Sequence, residues 1–423
     1  MLPGAPHLAR AANGELQLEG HALADLGRRF GTPLFVYSRA AMRAAAAAYQ
    51  RALQGRPHLV CYAMKANSNL AVLQTFAQAG CGFDIVSGGE LERVLAAGGD
   101  PAKVVFSGVG KSRAEMRQAL QAGVRCFNVE STSELDTLSA EAVALGQVAP
   151  VSLRVNPDVD AGTHPYISTG LKGNKFGIAH DEALAAYRHA ASLSGLRVVG
   201  IDCHIGSQIT QIAPYLDALD RVLDLVEAVE AAGITIHHVD VGGGLGITYT
   251  DETPPRADEM VAAMLARLDT RGHGQREVLL EPGRSLVGNA GVLLMDVMVL
   301  KPGPTKNFCI VDAAMNDVMR PAMYEAWMGI EPCMQRAEAP LTWDVVGPIC
   351  ESGDWLGRDR ALAVQPGDTL AMLSAGAYGM AMASNYNTRP RAAEVMVDGS
   401  SVHLIREREQ ARDLFAGERL IPG

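Results

Sequence analysis

The sequence predicts an α/β fold in which a parallel (β/α)8 barrel of the TIM type precedes a mostly antiparallel C-terminal β domain. Short apolar runs alternate eight times with amphipathic stretches of helical period, and this alternation stops near Glu281. Several polar residues stand where the apolar runs end, which is where a barrel gathers its functional groups. The length of 423 residues also exceeds the usual size of one hydrophobic core, so two domains are expected.

The barrel prediction depends on eight strand-like runs that are rich in apolar, β-branched and aromatic residues. They are His58–Ala63, Cys81–Val86, Lys103–Ser107, Val124–Val129, Pro150–Val155, Arg197–His204, His237–Val241 and Glu277–Glu281. Between them, stretches such as 70–79, 90–97, 113–122 and 215–232 show the apolar period of helices. Because strands that alternate with helices form parallel sheets, we assign residues 31–281 to the barrel.

The secondary-structure pattern predicted after Glu281 differs from that of the barrel. Strand-like runs such as Val292–Leu300 and Phe308–Asp312 follow one another, separated by Gly and Pro turns. This pattern is typical of antiparallel sheets. We assign residues 282–423 to a β domain and add residues 1–30 to it, because they do not follow the alternation of the barrel.

Composition and charge disfavour several classes of protein. The net charge of −10 would repel a nucleic-acid backbone, so no nucleic acid partner is expected. The longest apolar run, Val292–Leu300, is short and contains Asp296, and the N-terminus has no apolar signal segment, so neither secretion nor a membrane partner is expected. The seven cysteines have no CxxC spacing, which indicates neither a disulfide framework nor a metal site. We therefore expect a cytoplasmic protein, with four cysteines in the core: Cys61, Cys81, Cys126 and Cys203.

Four groups of polar or glycine residues coincide with strand ends. Lys65 follows the first run, His204 ends the sixth, Gly242–Gly244 follow the seventh and Glu281 ends the eighth. The loops after the strands form the mouth of a barrel. The four groups are therefore predicted to meet in one site.

Lys65 is the candidate anchor for an aldehyde cofactor. Most lysines are solvated surface residues, and this is the alternative for Lys65 taken alone. An amine at a partly desolvated barrel mouth loses its proton readily and attacks an aldehyde, which is the chemistry that pyridoxal 5′-phosphate (PLP) requires. The position of Lys65 after a buried strand favours the second interpretation.

The glycines of the segment 242–246 allow backbone N–H groups to approach a phosphate closely. A flexible turn is an equally good interpretation of this segment alone. A dinucleotide-binding GxGxxG motif is excluded because Ile247 stands at the third glycine position. The run from Gly110 to Ser112 resembles the end of a P-loop, but Val105 stands where the first glycine is required.

Glu281 and Arg284 follow the last strand closely, where an unpaired buried charge would be costly. Without a cofactor they would be read as an ion pair. With PLP, a carboxylate keeps the pyridine nitrogen protonated so that the ring accepts electrons. His204 alone could be a core histidine, but at the mouth a flat imidazole could stack on the cofactor ring, with Ser207 hydrogen-bonding nearby.

Two further clusters, Arg320–Tyr324 and Pro348–Asp354, fall in the predicted β domain and would alone pass for polar loops. In the second, Cys350 precedes Glu351. A thiol beside a carboxylate suits a proton donor next to an acid that binds an amine, but spacing alone does not establish these roles.

Together, these motifs resemble those of the fold-type III PLP-dependent decarboxylases, the alanine racemase-like barrel family, and within it the group that acts on diaminopimelate. The resemblance covers roughly residues 31–399. Its elements are YAMKAN at Tyr62, FDIVSGGEL at Phe83, HPYISTGLKGNKFG at His164, CHIGSQ at Cys203, DVGGGLGI at Asp240, EPGRSLVGNAG at Glu281, RPAMY at Arg320, GPICESGD at Gly347 and AGAYG at Ala375. Any one motif would be weak evidence, but their common order is difficult to attribute to chance.

The resemblance implies catalytic and cofactor-binding roles at the matching positions. It makes Lys65 the Schiff-base lysine, His204 the ring-stacking residue and Glu281 the partner of the pyridine nitrogen. Cys350 matches the proton donor. The remaining cofactor contacts that it implies are Asp84, Ser207, Gly243, Gly244, Gly283, Arg284 and Tyr378.

The resemblance also implies how the substrate is held. Arg284, Arg320 and Tyr324 match the positions that bind its distal carboxylate, Glu351 matches the position for the distal amine, and Tyr378 contacts both cofactor and substrate. In this family Cys350 and Glu351 reach the active site of the other subunit, which implies an obligate homodimer with shared sites.

One departure from the family pattern follows RPAMY, where members commonly carry a histidine. This chain has Trp327, Met328 and Gly329 instead. The departure touches no assigned role.

The implied activity is the decarboxylation of meso-diaminopimelate to L-lysine and CO2, the last step of lysine biosynthesis. The segment Ala161–Lys175, rich in Gly, His and Lys, is expected to close over the mouth. Ornithine, arginine and lysine decarboxylases are alternatives, but their substrates would leave the residues for a distal carboxylate without a partner. A racemase would need a second acid or base on the opposite ring face, and a non-catalytic PLP carrier would not need paired substrate arginines.

Overall fold

The chain divides into two compact units in the computed structural model, which describes residues 5, 7–160, 162, 169 and 174–423. The barrel unit comprises Arg43–Ile247 and Thr253–Leu286. The β unit comprises the described residues up to Met42 together with Thr248–Glu252 and Val287–Gly423. The boundaries expected at residues 31 and 281 stay predictions.

Strands and helices are numbered in chain order. The strands are β1 (Leu8–Arg10), β2 (Leu16–Leu18), β3 (His21–Ala22), β4 (Leu34–Ser38), β5 (His58–Ala63), β6 (Gly82–Ile85), β7 (Val104–Phe106), β8 (Cys126–Val129), β9 (Ala149–Asn156), β10 (Ile178–Ala179), β11 (Leu196–Asp202), β12 (His238–Asp240), β13 (Glu277–Leu280), β14 (Gly291–Lys301), β15 (Phe308–Val311), β16 (Ile330–Pro332), β17 (Leu341–Val346), β18 (Trp355–Leu362), β19 (Thr369–Met372), β20 (Ala393–Asp398) and β21 (Ser401–Arg406). The helices are α1 (Leu23–Phe30), α2 (Arg39–Ala52), α3 (Leu70–Gln78), α4 (Gly88–Ala96), α5 (Arg113–Ala122), α6 (Thr132–Ala144), α7 (His180–Ser192), α8 (Ala213–Ala231), α9 (Ala257–Thr270), α10 (Arg284–Val287) and α11 (Arg320–Tyr324).

The barrel unit contains a closed ring of eight parallel strands, which confirms the predicted fold. The order around the ring is β5, β6, β7, β8, β9, β11, β12 and β13, and β13 pairs with β5 to close it. A layer of side chains fills the barrel: Leu59, Cys61, Val105, Cys126, Val199 and Leu279. Because this layer blocks the barrel, polar groups can gather only at the two ends.

Serine caps start three of the helices that separate the strands. The side chains of Ser87, Ser112 and Ser131 accept hydrogen bonds from backbone N–H groups in the first turns of α4, α5 and α6. Each cap lies in a loop that leaves the carboxyl end of a strand. The caps therefore fix where the mouth loops end and the helices begin.

The β unit is mostly antiparallel, as predicted. Its central strand, β14, pairs antiparallel with β4, β15 and β19. Parallel pairs join β4 to β20 and β15 to β17, while β1, β2 and β3 form a separate small sheet. The unit has its own apolar core, to which α1 contributes Leu23 and Leu26.

The predicted core cysteines Cys61, Cys81, Cys126 and Cys203 are all buried. Among the residues that the structure describes, no helix combines the length and hydropathy needed to cross a membrane. The segment Ala161–Lys175, expected to close over the mouth, lies outside the described residues except at Gly162, Thr169, Asn174 and Lys175.

Lys111, part of the rejected P-loop resemblance, has a structural role. Its fully buried Nζ donates to the carbonyl oxygens of Gly108 and Asn128, both at 2.8 Å, and to Glu134 Oε1 at 2.7 Å. These contacts tie the loop after β7 to β8 and α6. The Lys111 side chain therefore makes structural contacts that stabilise the barrel.

Candidate active site

Lys65 and Asp84 form an ion pair at the carboxyl ends of neighbouring strands. Lys65 lies in a short turn directly after β5, and its Nζ donates to Asp84 Oδ2, in β6, at 2.9 Å. The Asp84 side chain is fully buried, whereas that of Lys65 is 37% exposed. The amine is therefore held by the barrel while remaining accessible from the mouth.

Glu281 lies beside two aspartates that stand at the ends of β11 and β12. Carboxyl oxygens of Asp202, Asp240 and Glu281 all lie within 4.8 Å of one another, and the three residues are buried. Asn128 Nδ2, in β8, donates to Glu281 Oε1 at 3.3 Å. Four strands thus contribute to one polar cluster.

Burial raises the pKa of the Glu281 carboxyl well above its ordinary value. The charges of Asp240, Asp84 and Asp202 raise this pKa further, and Lys65 opposes them. Burial also raises the pKa of Asp240 to about 7, although the Gly242 N–H, which donates to Oδ1 at 2.9 Å, favours the ionised form. The cluster therefore retains protons that exposed carboxyls lose at neutral pH.

His204 is a neutral, flat group at the mouth. Its Nδ1 accepts a hydrogen bond from the Gly243 N–H at 3.1 Å. Burial lowers the pKa of the imidazole well below its ordinary value, and the charges of Lys65 and Arg154 lower it further. The ring thus carries its proton on Nε2, and the hydrogen bond to the glycine loop fixes its orientation.

The loop after β12 approaches other backbone so closely that side chains are excluded. A Cβ atom on Gly243 would lie 2.0 Å from the Glu281 carbonyl oxygen. Gly244 has a φ of +101°, and a Cβ there would lie 2.2 Å from the Gly206 carbonyl oxygen. Nearby, Arg284 donates from Nη2 to Ser207 Oγ at 2.8 Å.

These groups fit PLP. An accessible amine can hold its aldehyde, a protonated carboxyl can serve its ring nitrogen, and a flat neutral imidazole can cover its ring. The glycine loop and a buried guanidinium suit its phosphate. The barrel unit thus brings together Lys65, Asp84, His204, Ser207, Gly243, Gly244, Glu281, Gly283 and Arg284.

The other predicted site residues lie in the β unit. Arg320 begins α11 and is buried, with its guanidinium carbon 4.6 Å from the centre of the Tyr249 ring. Tyr324 ends the same helix. Tyr378 is partly buried and has a φ of 56°, in the left-handed region.

Cys350 and Glu351 are exposed on a turn that Asp354 holds. The Asp354 carboxylate accepts hydrogen bonds from the backbone N–H groups of Met315 and Ile349, at 2.7 and 2.8 Å. The backbone N–H of Cys350 donates to Asn387 Oδ1 at 2.9 Å. The turn therefore presents a thiol and a carboxylate from a fixed backbone.

The departure from the family pattern after α11 also has a structural role. The ring of Trp327 covers the guanidinium of Arg360, in β18, with 3.9 Å between the guanidinium carbon and the ring centre. Burial lowers the pKa of Arg360 to about 10. A cation–π contact thus stabilises this buried charge.

Sequence reasoning missed several polar residues of the mouth. Asp202 is the last residue of β11 and directly precedes the motif at Cys203, while Asp240 is the last residue of β12 and begins its own motif. Neither residue was assigned a role. Arg154, in β9, donates to Glu130 Oε1 at 3.0 Å, and its Nε lies 3.9 Å from Asp202 Oδ2. A polar residue at the end of an otherwise apolar parallel strand was the available signal.

The comparisons with known proteins agree with one another. A family model described as "Pyridoxal-dependent decarboxylase, pyridoxal binding domain" matches residues 39–288. The diaminopimelate decarboxylase of Pseudomonas aeruginosa is 61% identical over 97% of this chain and 98% of its own length.

Two crystal structures of diaminopimelate decarboxylases in complex with L-lysine are similar to this chain. The M. jannaschii structure has a TM-score of 0.95 at 40% identity and covers 100% of this chain and 99% of its own. The Helicobacter pylori structure has a TM-score of 0.89 at 41% identity and covers 93% of this chain and 98% of its own. This chain therefore belongs to the diaminopimelate decarboxylase family of PLP-dependent, fold-type III enzymes.

Proposed function

We propose that the protein decarboxylates meso-diaminopimelate to L-lysine and CO2, with PLP as cofactor. The observation that carries this proposal is the barrel mouth, where an accessible lysine, a protonated buried glutamate and a glycine loop converge. The names of the relatives and the L-lysine in two related structures support the substrate and product.

When bound, PLP supplies a ring that accepts the electron pair left on the α-carbon as CO2 departs. We assign its covalent attachment to Lys65 and the protonation of its ring nitrogen to Glu281. His204 would cover the ring, and Gly243 and Gly244 would line the phosphate site. The Lys65–Asp84 pair keeps the amine oriented toward the mouth. Ser207, Gly283, Arg284 and Tyr378 complete the proposed cofactor contacts.

Substrate recognition is assigned to side chains whose charges are complementary to those of the substrate. Two guanidinium groups and a phenol, from Arg284, Arg320 and Tyr324, suit the distal carboxylate, which ornithine and lysine lack. Glu351 suits the distal amine, and Tyr378 contacts the substrate as well as the cofactor. Cys350 is the proposed donor of the proton that replaces CO2 on the α-carbon.

The active form is proposed to be a cytoplasmic homodimer in which Cys350 and Glu351 complete the site of the other subunit. Their exposure on a turn fixed by Asp354 supports this assignment, because both side chains are available to another chain. A two-fold dimer would contain two such shared sites.

The substrate is tested by measuring CO2 release from meso-diaminopimelate, ornithine, arginine and lysine at equal concentrations. We expect diaminopimelate to react far faster than the others. Arg320→Leu should lose most of this preference, since one of the two cations for the distal carboxylate is removed. Faster release from lysine or ornithine by the unmodified chain would refute the substrate assignment.

The shared sites are tested by mixing Lys65→Ala and Cys350→Ala chains, each nearly inactive alone. Random exchange of equal amounts places half of the chains in heterodimers, and each heterodimer contains one intact site. The mixture should therefore recover about a quarter of wild-type activity. If mass measurement confirms exchange and activity stays at the level of the single variants, Cys350 does not act in the partner's site.

A further inference from the structure

Among the described residues, cations compensate the carboxyl cluster behind Glu281 only weakly. Asp202 and Asp240 are 1% and 0% exposed, and within the described part of the chain no N–H or hydroxyl group donates to Asp202 Oδ1 or Asp240 Oδ2. The guanidinium of Arg154 stays 3.9 Å from Asp202 and is already bound to Glu130. Buried carboxylates are ordinarily paired, so this cluster requires an explanation.

The charged residues around the carboxyl cluster form ion pairs with one another. Lys65 neutralises Asp84, and Arg154 neutralises Glu130. The remaining titratable neighbours among the described residues are uncharged, since burial lowers the pKa of the imidazole and raises the pKa of each thiol: His204, Cys61, Cys126 and Cys203. The uncompensated negative charge therefore belongs to Asp202, Asp240 and Glu281.

Carboxyl oxygens of Asp240 and Glu281 lie within 4.8 Å of each other, and both side chains are buried. Two buried carboxylates this close cannot both ionise readily. The pair therefore holds one proton at neutral pH, and a cation is the group that would complement the remaining charge.

We propose that Asp240, with Asp202 beside it, is a positioning residue that shares one proton with Glu281 and keeps the ring nitrogen of PLP protonated across neutral pH. This inference rests on the proposed role of Glu281. The O–H bond of Glu281 breaks as an N–H bond forms on the pyridine, and Glu281 is left as a carboxylate. The resulting cationic ring would place positive charge beside the two aspartates, and the negative charge of the cluster opposes loss of the proton.

The test follows the ring nitrogen directly, by ¹⁵N NMR of the holoenzyme loaded with PLP that is ¹⁵N-labelled in the ring, titrated with pH. Asp240→Asn retains an oxygen that can accept from the Gly242 N–H but removes the negative charge and offers Glu281 an amide donor. We expect the ring nitrogen to lose its proton at least about one pH unit lower than in the wild type, a tenfold change in proton binding. Asp202→Asn, which removes an ionisable group without removing a hydrogen bond to a described residue, should shift the titration in the same direction by a smaller amount.

The matched control is Asp317→Asn, a buried aspartate in the β unit that also accepts a backbone hydrogen bond, from Ala314. It should leave the titration unchanged. Wild-type titration in both Asp240→Asn and Asp202→Asn, or an equal shift in Asp317→Asn, would overturn the inference.

The Glu281→Gln variant distinguishes a failure of the proposed role of Glu281 from a failure of the inference about the aspartates. If it moves the ¹⁵N titration while the Asp240 and Asp202 variants do not, the role of Glu281 stands and the inference about the aspartates fails. If Glu281→Gln also has no effect, the proposed partner of the ring nitrogen is wrong, and the inference falls with it.

Discussion

Replacing Gly243 by alanine should remove most of the bound cofactor and activity, because the loop has no space for a methyl group. The added Cβ would lie 2.0 Å from the Glu281 carbonyl oxygen. Either the loop or the end of β13 must then move by about 1 Å, and a displacement of that size in an active site can cost about 100-fold in rate. The φ of Gly243 is compatible with alanine, so the effect would come from the close contact alone.

The same displacement should weaken the Gly243–His204 hydrogen bond and destabilise the barrel unit. Overpacking of this kind costs about 1–3 kcal/mol of the free energy of unfolding. We would measure CO2 release, PLP retained after dialysis, and thermal unfolding. Gly110→Ala is the control, because that loop glycine has no atom within 4 Å of an added Cβ. A Gly243→Ala protein that retains PLP and wild-type turnover would refute the assignment of this loop to the cofactor site.

Four further outcomes are expected. Lys65→Ala should lose the visible absorbance of lysine-bound PLP and nearly all CO2 release; retention of both would identify another anchor. Glu281→Gln should still bind PLP but lose about 10²-fold in kcat, measured at saturating substrate, since an amide cannot supply the ring nitrogen with a proton. Lys111→Met should lower the free energy of unfolding in urea by about 3–5 kcal/mol, because Glu134 stays buried without its cation, and Glu134→Gln in the same chain should recover part of the loss. Finally, because the pKa of Asp240 is raised, the native chain binds more protons than the unfolded chain between about pH 4 and 7. The contribution of Asp240 to the free energy of unfolding therefore falls as pH rises through that window. Urea unfolding of the cofactor-free Asp240→Asn variant should show a weaker decline over the same range.

The barrel could be predicted from the sequence because its strands and helices have strong, distinct periods. The run His58–Ala63 coincides with β5, and 113–122 coincides with α5. The ends of other strands shifted by one or two residues, as in Cys81–Val86, which is a strand only over Gly82–Ile85. Strand ends depend on hydrogen bonds to neighbouring strands, which one sequence does not contain.

The polar network of the mouth was less predictable. A strand of a parallel barrel is buried on both faces, so an inward aspartate such as Asp202 or Asp240 leaves no alternation of polar and apolar residues to indicate its direction. The run containing Lys111 resembled the end of a P-loop and was rejected, but the structural role of Lys111 could not be predicted because its partner Glu134 lies in α6, well separated in sequence. The roles of Cys350 and Glu351 depend on a second chain and therefore came only from the family resemblance.

Glu130 connects three separate segments at the mouth of the barrel. Its carboxylate accepts hydrogen bonds from the Gly108 N–H after β7, the Gly177 N–H before β10 and the Arg154 guanidinium in β9. Barrel enzymes differ in chemistry through variation of their mouth loops. In this chain, a loop transplanted at one of these positions would also have to reproduce a donor for Glu130, so the neighbouring loops would have to be exchanged as a set.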